Sequence, residues 1–151
     1  MTVEHPFNKI VEGIGVSDIR QFDAEVSSIP GIIKLTLGEP NFDTPEHIKE
    51  AAIQAIKDNH SHYTPNSGIP ELRQAAAEYY NKKFNFNYTG DQVITTIGAT
   101  EGIAASLQAI LNPGDTVIVP TPVFPLYLPI TLVNQGNFIT VDTSNDGFVL
   151  T

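Results

Sequence analysis

Apolar residues recur at helical spacing in three stretches of the chain, and polar turn residues separate these stretches. The weakest stretch predicts a short helix at about residues 17–27. A stronger one opens at the Thr-Pro-Glu run of residues 44–46 and stops near Asn59. Its threonine is the expected N-cap and its proline the first helical residue. A third helix opens at the Pro-Glu pair of residues 70–71.

A strand, a turn, a helix and a second strand are predicted in the middle of the chain. The β-branched run at residues 93–96 indicates the first strand, and residues 97–100 form the turn. A helix rich in small residues follows at about 101–111 and stops at the Asn-Pro-Gly run of residues 112–114. The second strand covers residues 116–119. A turn that leads into a helix N-terminus is where free N–H groups and the helix dipole can hold a phosphate group.

The remaining segments complete an α/β pattern. Residues 32–37 form a short extended segment, and residues 60–68 form a polar loop. Prolines punctuate residues 121–133, to which the pattern assigns neither a helix nor a strand. A last strand is predicted near residues 138–141. We find no internal repeat in the sequence.

Charge and composition exclude several classes of function. Seventeen acidic against eight basic residues give the 151-residue chain a formal charge of −9, which argues against a nucleic acid or an anionic membrane as partner. Because there is no cysteine, disulfides, thiolate catalysis and thiolate metal sites are excluded. The sequence has neither a recognisable signal peptide nor an apolar run of about 20 residues, so a cytoplasmic location is expected.

The titratable residues do not form a recognisable motif. His60 and His62 lie near Asp58 in the polar loop, but a metal site needs at least a third ligand, so we interpret them as solvated loop residues. Neither the other histidines nor several aspartates show a pairing that suggests metal binding or acid–base work: His5, His47, Asp18, Asp23, Asp91, Asp115 and Asp142.

Four segments, taken in order, resemble class I aminotransferases, the pyridoxal-phosphate enzymes of fold type I. They are LTLGEPNFDTPEHI, YTPNSGIPELRQAAAEYY, TIGATEGI and NPGDTVIVPTPVFPLY. The resemblance extends from about Gly15 to the end, and it is greatest to the aromatic and N-acetyl-diaminopimelate aminotransferases. It implies an incomplete pyridoxal-phosphate-binding large domain at residues 38–151, with a mostly parallel sheet flanked by helices. Residues 1–37 would be an N-terminal arm and the start of the small domain.

The resemblance implies a role for several residues in binding the cofactor, pyridoxal 5′-phosphate. Ala99 and Thr100 match positions whose backbone N–H groups hold its phosphate, and the Thr100 hydroxyl can add a bond. The alternative is a plain strand-to-helix turn with Thr100 as N-cap. Phe124 matches the aromatic residue that stacks on the pyridine ring, and core packing is its alternative. Tyr127 would at most shape the pocket.

Two further positions match residues of the family's active site. Tyr63 matches a tyrosine that reaches across a homodimer to the neighbour's cofactor phosphate; otherwise it packs on its own domain. Gly38 matches a glycine whose backbone lies near the substrate carboxylate, and a turn before Pro40 would also explain it. Arg73 is interpreted as structural, paired on its helix surface, and not as a ligand of the substrate carboxylate.

The resemblance implies an enzyme that moves an amino group from an amino acid to a 2-oxo acid. This chemistry needs a lysine that forms a Schiff base with the cofactor aldehyde. None of the lysines has the family's context for that role: Lys9, Lys34, Lys49, Lys57, Lys82 and Lys83. We therefore expect the 151 residues alone to be inactive, and we expect self-association, marginal order or a longer parent chain, because apolar strand edges would be uncovered.

Three alternative functions stay open at this point. A carbon–sulfur β-lyase can share the fold and the cofactor site, because details of the pocket direct the reaction. An aminotransferase-like ligand sensor of a transcription regulator is less favoured, because the first 37 residues are short and not basic. The last alternative is an α/β segment that binds no ligand.

Overall fold

The computed structural model describes residues 7–15 and 17–151. Residues 1–6 and 16 lie outside the described residues, and with them part of the predicted N-terminal arm and His5. The chain forms two compact units. The first contains the described residues up to Ile32 together with Ile97–Thr151, and the second is Ile33–Thr96. The predicted domain boundary after residue 37 stays a prediction.

The elements alternate between helices and strands only in the second half of the chain. In chain order they are α1 (Lys9–Glu12), α2 (Asp18–Val26), α3 (Glu46–Lys57), α4 (Pro70–Phe84), α5 (Gly98–Ile110), β1 (Thr116–Thr121), α6 (Tyr127–Val133) and β2 (Asn137–Asp142), with 3₁₀ turns at Gly90–Gln92 and Ser144–Asp146.

The sequence predicted α2 but not α1 or α6. One turn of α1 is held by Asn8, whose side-chain oxygen accepts a hydrogen bond of 2.9 Å from the Ile10 N–H. The α6 helix contains Pro129 as its third residue. Proline is tolerated in the first turn of a helix, where its missing N–H has no intrahelical acceptor. Because prolines punctuate residues 121–133, the sequence pattern did not indicate this helix.

The second unit is built around α3 and α4. The predicted N-cap of α3, Thr44, is wrong by one residue: the N-cap is Pro45, whose extended backbone has ψ of 142°, and α3 begins at Glu46. The predicted start of α4 at Pro70 is confirmed. That helix ends at Phe84, and its C-cap, Asn85, takes the left-handed conformation with φ of 56°.

The first unit contains a two-stranded parallel sheet. Its strands β1 and β2 pair from Thr116 opposite Asn137 to Thr121 opposite Asp142, which confirms both predicted strands and extends them. The α6 helix, which connects the strands, packs against β2 and buries Ile130. The core of this unit therefore lies beside one face of the sheet.

The predicted strand at residues 93–96 does not form. Instead, the Thr95 N–H and hydroxyl both donate to the Ser67 carbonyl, at 3.0 and 3.2 Å. Because the described chain supplies no partner strand, this extended segment hydrogen-bonds to a loop of its own unit.

The other face of the sheet is exposed. Ile118 and Ile139 are register partners, and each side chain is more than half exposed, at 64% and 51%. Parallel sheets are normally covered on both faces.

The predicted fold class, an incomplete mostly parallel sheet flanked by helices, is confirmed. In the described part of the chain, no helix is long and apolar enough to span a membrane.

The turn between α5 and β1 contains a carboxylate whose contribution to stability depends on pH. The Asp115 carboxylate accepts from the Asn112 N–H at 2.7 Å and from its side-chain amide at 3.1 Å. Both bonds lower the pKa of Asp115 below its ordinary 3.8, and the bond from the Asn112 backbone N–H has the larger effect. The stabilisation by this carboxylate is therefore complete above that ordinary value, and it is lost as the pH falls through the lowered folded pKa.

The substitution Asn112→Ala removes the side-chain bond and keeps the backbone bond. We expect it to raise the pKa of Asp115 part of the way toward its ordinary value, as measured by NMR titration of the carboxyl carbon. Asn87→Ala, in the other unit, is the control and should leave the titration unchanged. An Asp115 titration that is identical in Asn112→Ala and the parent chain would contradict this assignment.

Candidate functional site

The turn before α5 takes a backbone conformation that requires glycine. Gly98 is the first residue of the helix and has φ of +77°, in the left-handed region that side chains rarely adopt. A Cβ built on Gly98 would meet no atom within 4 Å, so the requirement comes from the backbone and not from crowding. The helix starts three residues earlier than predicted, and its N-terminus lies open to a ligand.

Thr100 lies in the first turn of α5 and not at its N-cap. The N-cap is Ile97, and no side chain hydrogen-bonds from the cap position. The Glu101 carboxylate instead reaches back and accepts a hydrogen bond from the Ile97 N–H. The alternative explanation of Thr100 as a helix cap therefore does not apply in this structure.

The donors at this turn suit a phosphate group. The first N–H groups of a helix have no intrahelical acceptor, and here those of Ala99 and Thr100 follow directly after Gly98. Both residues are exposed, and the Thr100 hydroxyl adds a side-chain donor on the same turn. Backbone donors combined with the positive end of the helix dipole fit the phosphate of pyridoxal phosphate.

Phe124 belongs to the same compact unit and lies in the connection between β1 and α6. Its side chain is 57% exposed, so it is not part of a core in this structure. Its carbonyl accepts from the N–H of Tyr127, the first residue of α6, at 3.4 Å. The Phe124 ring therefore belongs to a short loop that is hydrogen-bonded to the first residue of α6.

Tyr63 and Gly38 lie in the second unit. The Tyr63 side chain is fully exposed in the loop between α3 and α4, so it does not pack on its own unit. Gly38 has open space around its Cα and does not have a positive φ, which is found at five other glycines, Gly31, Gly68, Gly98, Gly114 and Gly147. Only close backbone approach to a ligand would therefore require glycine at position 38.

Arg73 is structural, but its partners lie beyond its own helix. Its Nε donates to the Val93 carbonyl at 2.8 Å, and its guanidinium pairs with Asp91 at 3.3 Å. Its side chain is 15% exposed. Arg73 thus ties α4 to the extended segment that follows the 3₁₀ turn, which the sequence did not indicate.

Polar groups at the carboxyl ends of β1 and β2 form hydrogen bonds in the turn after β2. Asp142 accepts from the Ser144 N–H at 2.9 Å, and this backbone bond is the main cause of a lowered pKa of Asp142. The buried Thr143 hydroxyl donates to the Thr121 carbonyl at 2.9 Å. These bonds are local, so nothing here points to acid–base work.

Lysine and metal chemistry are not indicated at the turn. All six lysines are exposed, and five of them lie on α1, α3 or α4. Lys49, for example, pairs with Glu46 on α3 at 2.6 Å. Across residues 7–15 and 17–151, no group of three or more His, Cys, Asp or Glu residues could hold a metal ion.

The sequence alone did not indicate the roles of Glu101 and Gly68. Glu101 caps the turn before α5, and its position three residues after a glycine at the start of a helix was the available signal. Gly68 has φ of +98°, and a Cβ there would lie 1.9 Å from the Thr95 Oγ1. Its signal was the end of the Thr-Pro-Asn-Ser-Gly run, whose packing partner lies 27 residues further along the chain.

Comparison with known proteins identifies relatives along most of the chain. The family model described as aminotransferase class I and II matches residues 30–151. A Bacillus subtilis protein named as a probable N-acetyl-LL-diaminopimelate aminotransferase is 44% identical over 150 residues, which are 99% of this chain. An aspartate aminotransferase of Pyrococcus horikoshii is 46% identical over 111 residues, or 74% of this chain.

The structural comparison agrees with the sequence relatives. A Thermus thermophilus aspartate aminotransferase, solved with maleate, superimposes with a TM-score of 0.90 at 34% identity and covers 97% of this chain. The chain spans only part of each relative: 38% of the Bacillus protein, 28% of the Pyrococcus protein and 40% of the Thermus structure.

The tight packing at Gly68 generates a prediction about stability. Gly68→Ala combines an unfavourable positive φ with a clash against Thr95, so we expect it to lower the free energy of unfolding by at least about 2 kcal/mol. Gly38→Ala is the matched control, because a Cβ there meets no atom within 4 Å. Urea unfolding followed by circular dichroism checks both. Equal stability of the two variants would contradict the packing described here.

Proposed function

Because this chain belongs to the class I and II aminotransferase family, we propose that it is the N-terminal portion of a pyridoxal-phosphate-dependent enzyme. The whole enzyme would move an amino group from an amino acid to a 2-oxo acid. The observation that carries this proposal is the open N-terminus of α5 behind the left-handed Gly98, whose donors suit the cofactor phosphate.

In this proposal the phosphate binds to the N–H groups of Ala99 and Thr100 and to the Thr100 hydroxyl. Phe124 stacks on the pyridine ring, which favours an offset aromatic face. When bound, the cofactor serves as an electron sink for the substrate's reacting carbon. These residues anchor and orient the cofactor and do not move protons, so they supply its position and not the reaction step.

Two further residues of this chain would contribute to the site, one of them across a subunit interface. Tyr63 would reach the cofactor phosphate of a second subunit in a homodimer, and its full exposure supports such a contact between chains. Gly38 would let the backbone approach the substrate carboxylate closely. We propose a cytoplasmic enzyme that binds an amino acid and a 2-oxo acid.

The choice of substrate rests on the relatives. A relative that matches 99% of this chain carries the name of a probable N-acetyl-LL-diaminopimelate aminotransferase, while other relatives are named for aspartate. We infer that an acylated diamino acid with a free α-amino group is the donor class to test first. Aspartate and an aromatic amino acid are the appropriate comparison donors.

The 151 residues alone should bind the phosphate without catalysing transfer. We expect Thr100→Val to weaken binding of pyridoxine 5′-phosphate about tenfold, because a hydrogen bond to a charged group is lost. This alcohol cannot condense with the exposed lysines, so isothermal titration calorimetry reports the phosphate site itself. Thr44→Val, in the other unit, should bind like the parent chain. Identical affinities of Thr100→Val and the parent would contradict the assigned role of Thr100.

Transamination by the isolated chain is expected to be undetectable, because none of its lysines lies in a protected site. An absorbance assay with pyridoxal phosphate, an amino donor and a 2-oxo acid measures it. Free pyridoxal phosphate without protein is the background control. Turnover above that background would refute the proposal that the catalytic lysine lies outside these residues.

A further inference from the structure

The Glu101 carboxylate occupies one of the backbone donors beside the proposed phosphate site. It lies in the first turn of α5 and accepts a hydrogen bond from the N–H of Ile97, one turn back along the chain. The bond closes a ring around Gly98, which has φ of +77°. Glu101 therefore constrains the turn that presents the phosphate donors.

The N–H donors of Ile97, Ala99 and Thr100 lie at this end of α5, where the first N–H groups of a helix have no intrahelical acceptor. Glu101 takes the N–H of Ile97. The N–H groups of Ala99 and Thr100 are then the donors assigned to the phosphate. Without Glu101, the Ile97 donor would compete for the same anion.

We propose, on the basis of the proposed function, that Glu101 is a positioning residue for the cofactor phosphate. It acts through the Ile97 N–H by holding the Ile97–Gly98 turn in the conformation that aims the next two N–H groups at the phosphate. It does not contact the phosphate, because a carboxylate has no proton to donate and would repel it.

Two properties of Glu101 have opposite effects on phosphate binding. Its acceptor oxygen orders the turn, which strengthens binding, whereas its negative charge at the helix N-terminus opposes a second anion. Glutamine keeps an acceptor oxygen and removes the charge. Methionine has a similar length and helix propensity but cannot accept a comparable bond. The pair Glu101→Gln and Glu101→Met therefore isolates the positioning effect at constant charge.

The test measures binding of pyridoxine 5′-phosphate to the 151-residue chain by calorimetry. We expect Glu101→Gln to bind at least as tightly as the parent, and Glu101→Met to bind about fivefold more weakly than Glu101→Gln, the usual effect of losing a helix cap. Glu50→Met, on α3 in the other unit, is the matched control and should bind like the parent.

A second readout follows the turn without any ligand. Amide hydrogen exchange at Ile97 should be faster in Glu101→Met than in Glu101→Gln, while circular dichroism shows equal helix content. If Glu101→Met does not fold, Glu101→Ala replaces it in both measurements.

The outcomes separate the positioning role from the phosphate site itself. Weaker binding by Glu101→Met with rescue in Glu101→Gln supports the role of Glu101. Equal binding by the two variants overturns that role and leaves the phosphate site standing. No binding by the parent chain or any variant overturns the proposed phosphate site, and the positioning role with it. Equal exchange at Ile97 in all variants also overturns the positioning role.

Discussion

The parallel pairing of β1 with β2 is the interaction on which the first unit depends. Adjacent parallel strands require a crossover connection, and here α6 supplies it and buries Ile130 beside the sheet. The turn at Asn112–Asp115 then joins the start of β1 to the end of α5. Because that turn is hydrogen-bonded, α5 is held to the sheet at one end and presents its N-terminus at the other.

The second unit depends on a different junction. Gly68 leaves room for Thr95 to approach the loop, and Thr95 donates twice to the Ser67 carbonyl. Arg73 adds a bond to the Val93 carbonyl from α4. These contacts satisfy the polar groups of an extended segment that would otherwise need a neighbouring strand. A loop and a helix thus replace a sheet ladder within this part of the chain.

The family match and the local geometry support the proposed function by separate arguments. The family match covers residues 30–151, and it includes both the turn at Gly98 and the segment containing Phe124. The physical chemistry of the turn independently favours an anion, because a helix N-terminus offers donors and a positive dipole end. The exposed face at Ile118 and Ile139 agrees with a chain that spans about two-fifths of its relatives.

The sequence by itself determined the elements whose signals are local. Proline at the start of α4, the Asn-Pro-Gly run before β1 and the β-branched residues of both strands are short-range signals, so those elements were predicted within a few residues. The family motif likewise predicted the phosphate-binding role of the turn at Ala99 and Thr100, which stays a prediction. Only the tertiary structure decided that residues 93–96 form no strand. It also decided that Arg73 donates to the Val93 carbonyl and that the Glu101 carboxylate accepts from the Ile97 N–H. Strand formation and side-chain partners depend on groups brought together by folding, which no local pattern of residues specifies.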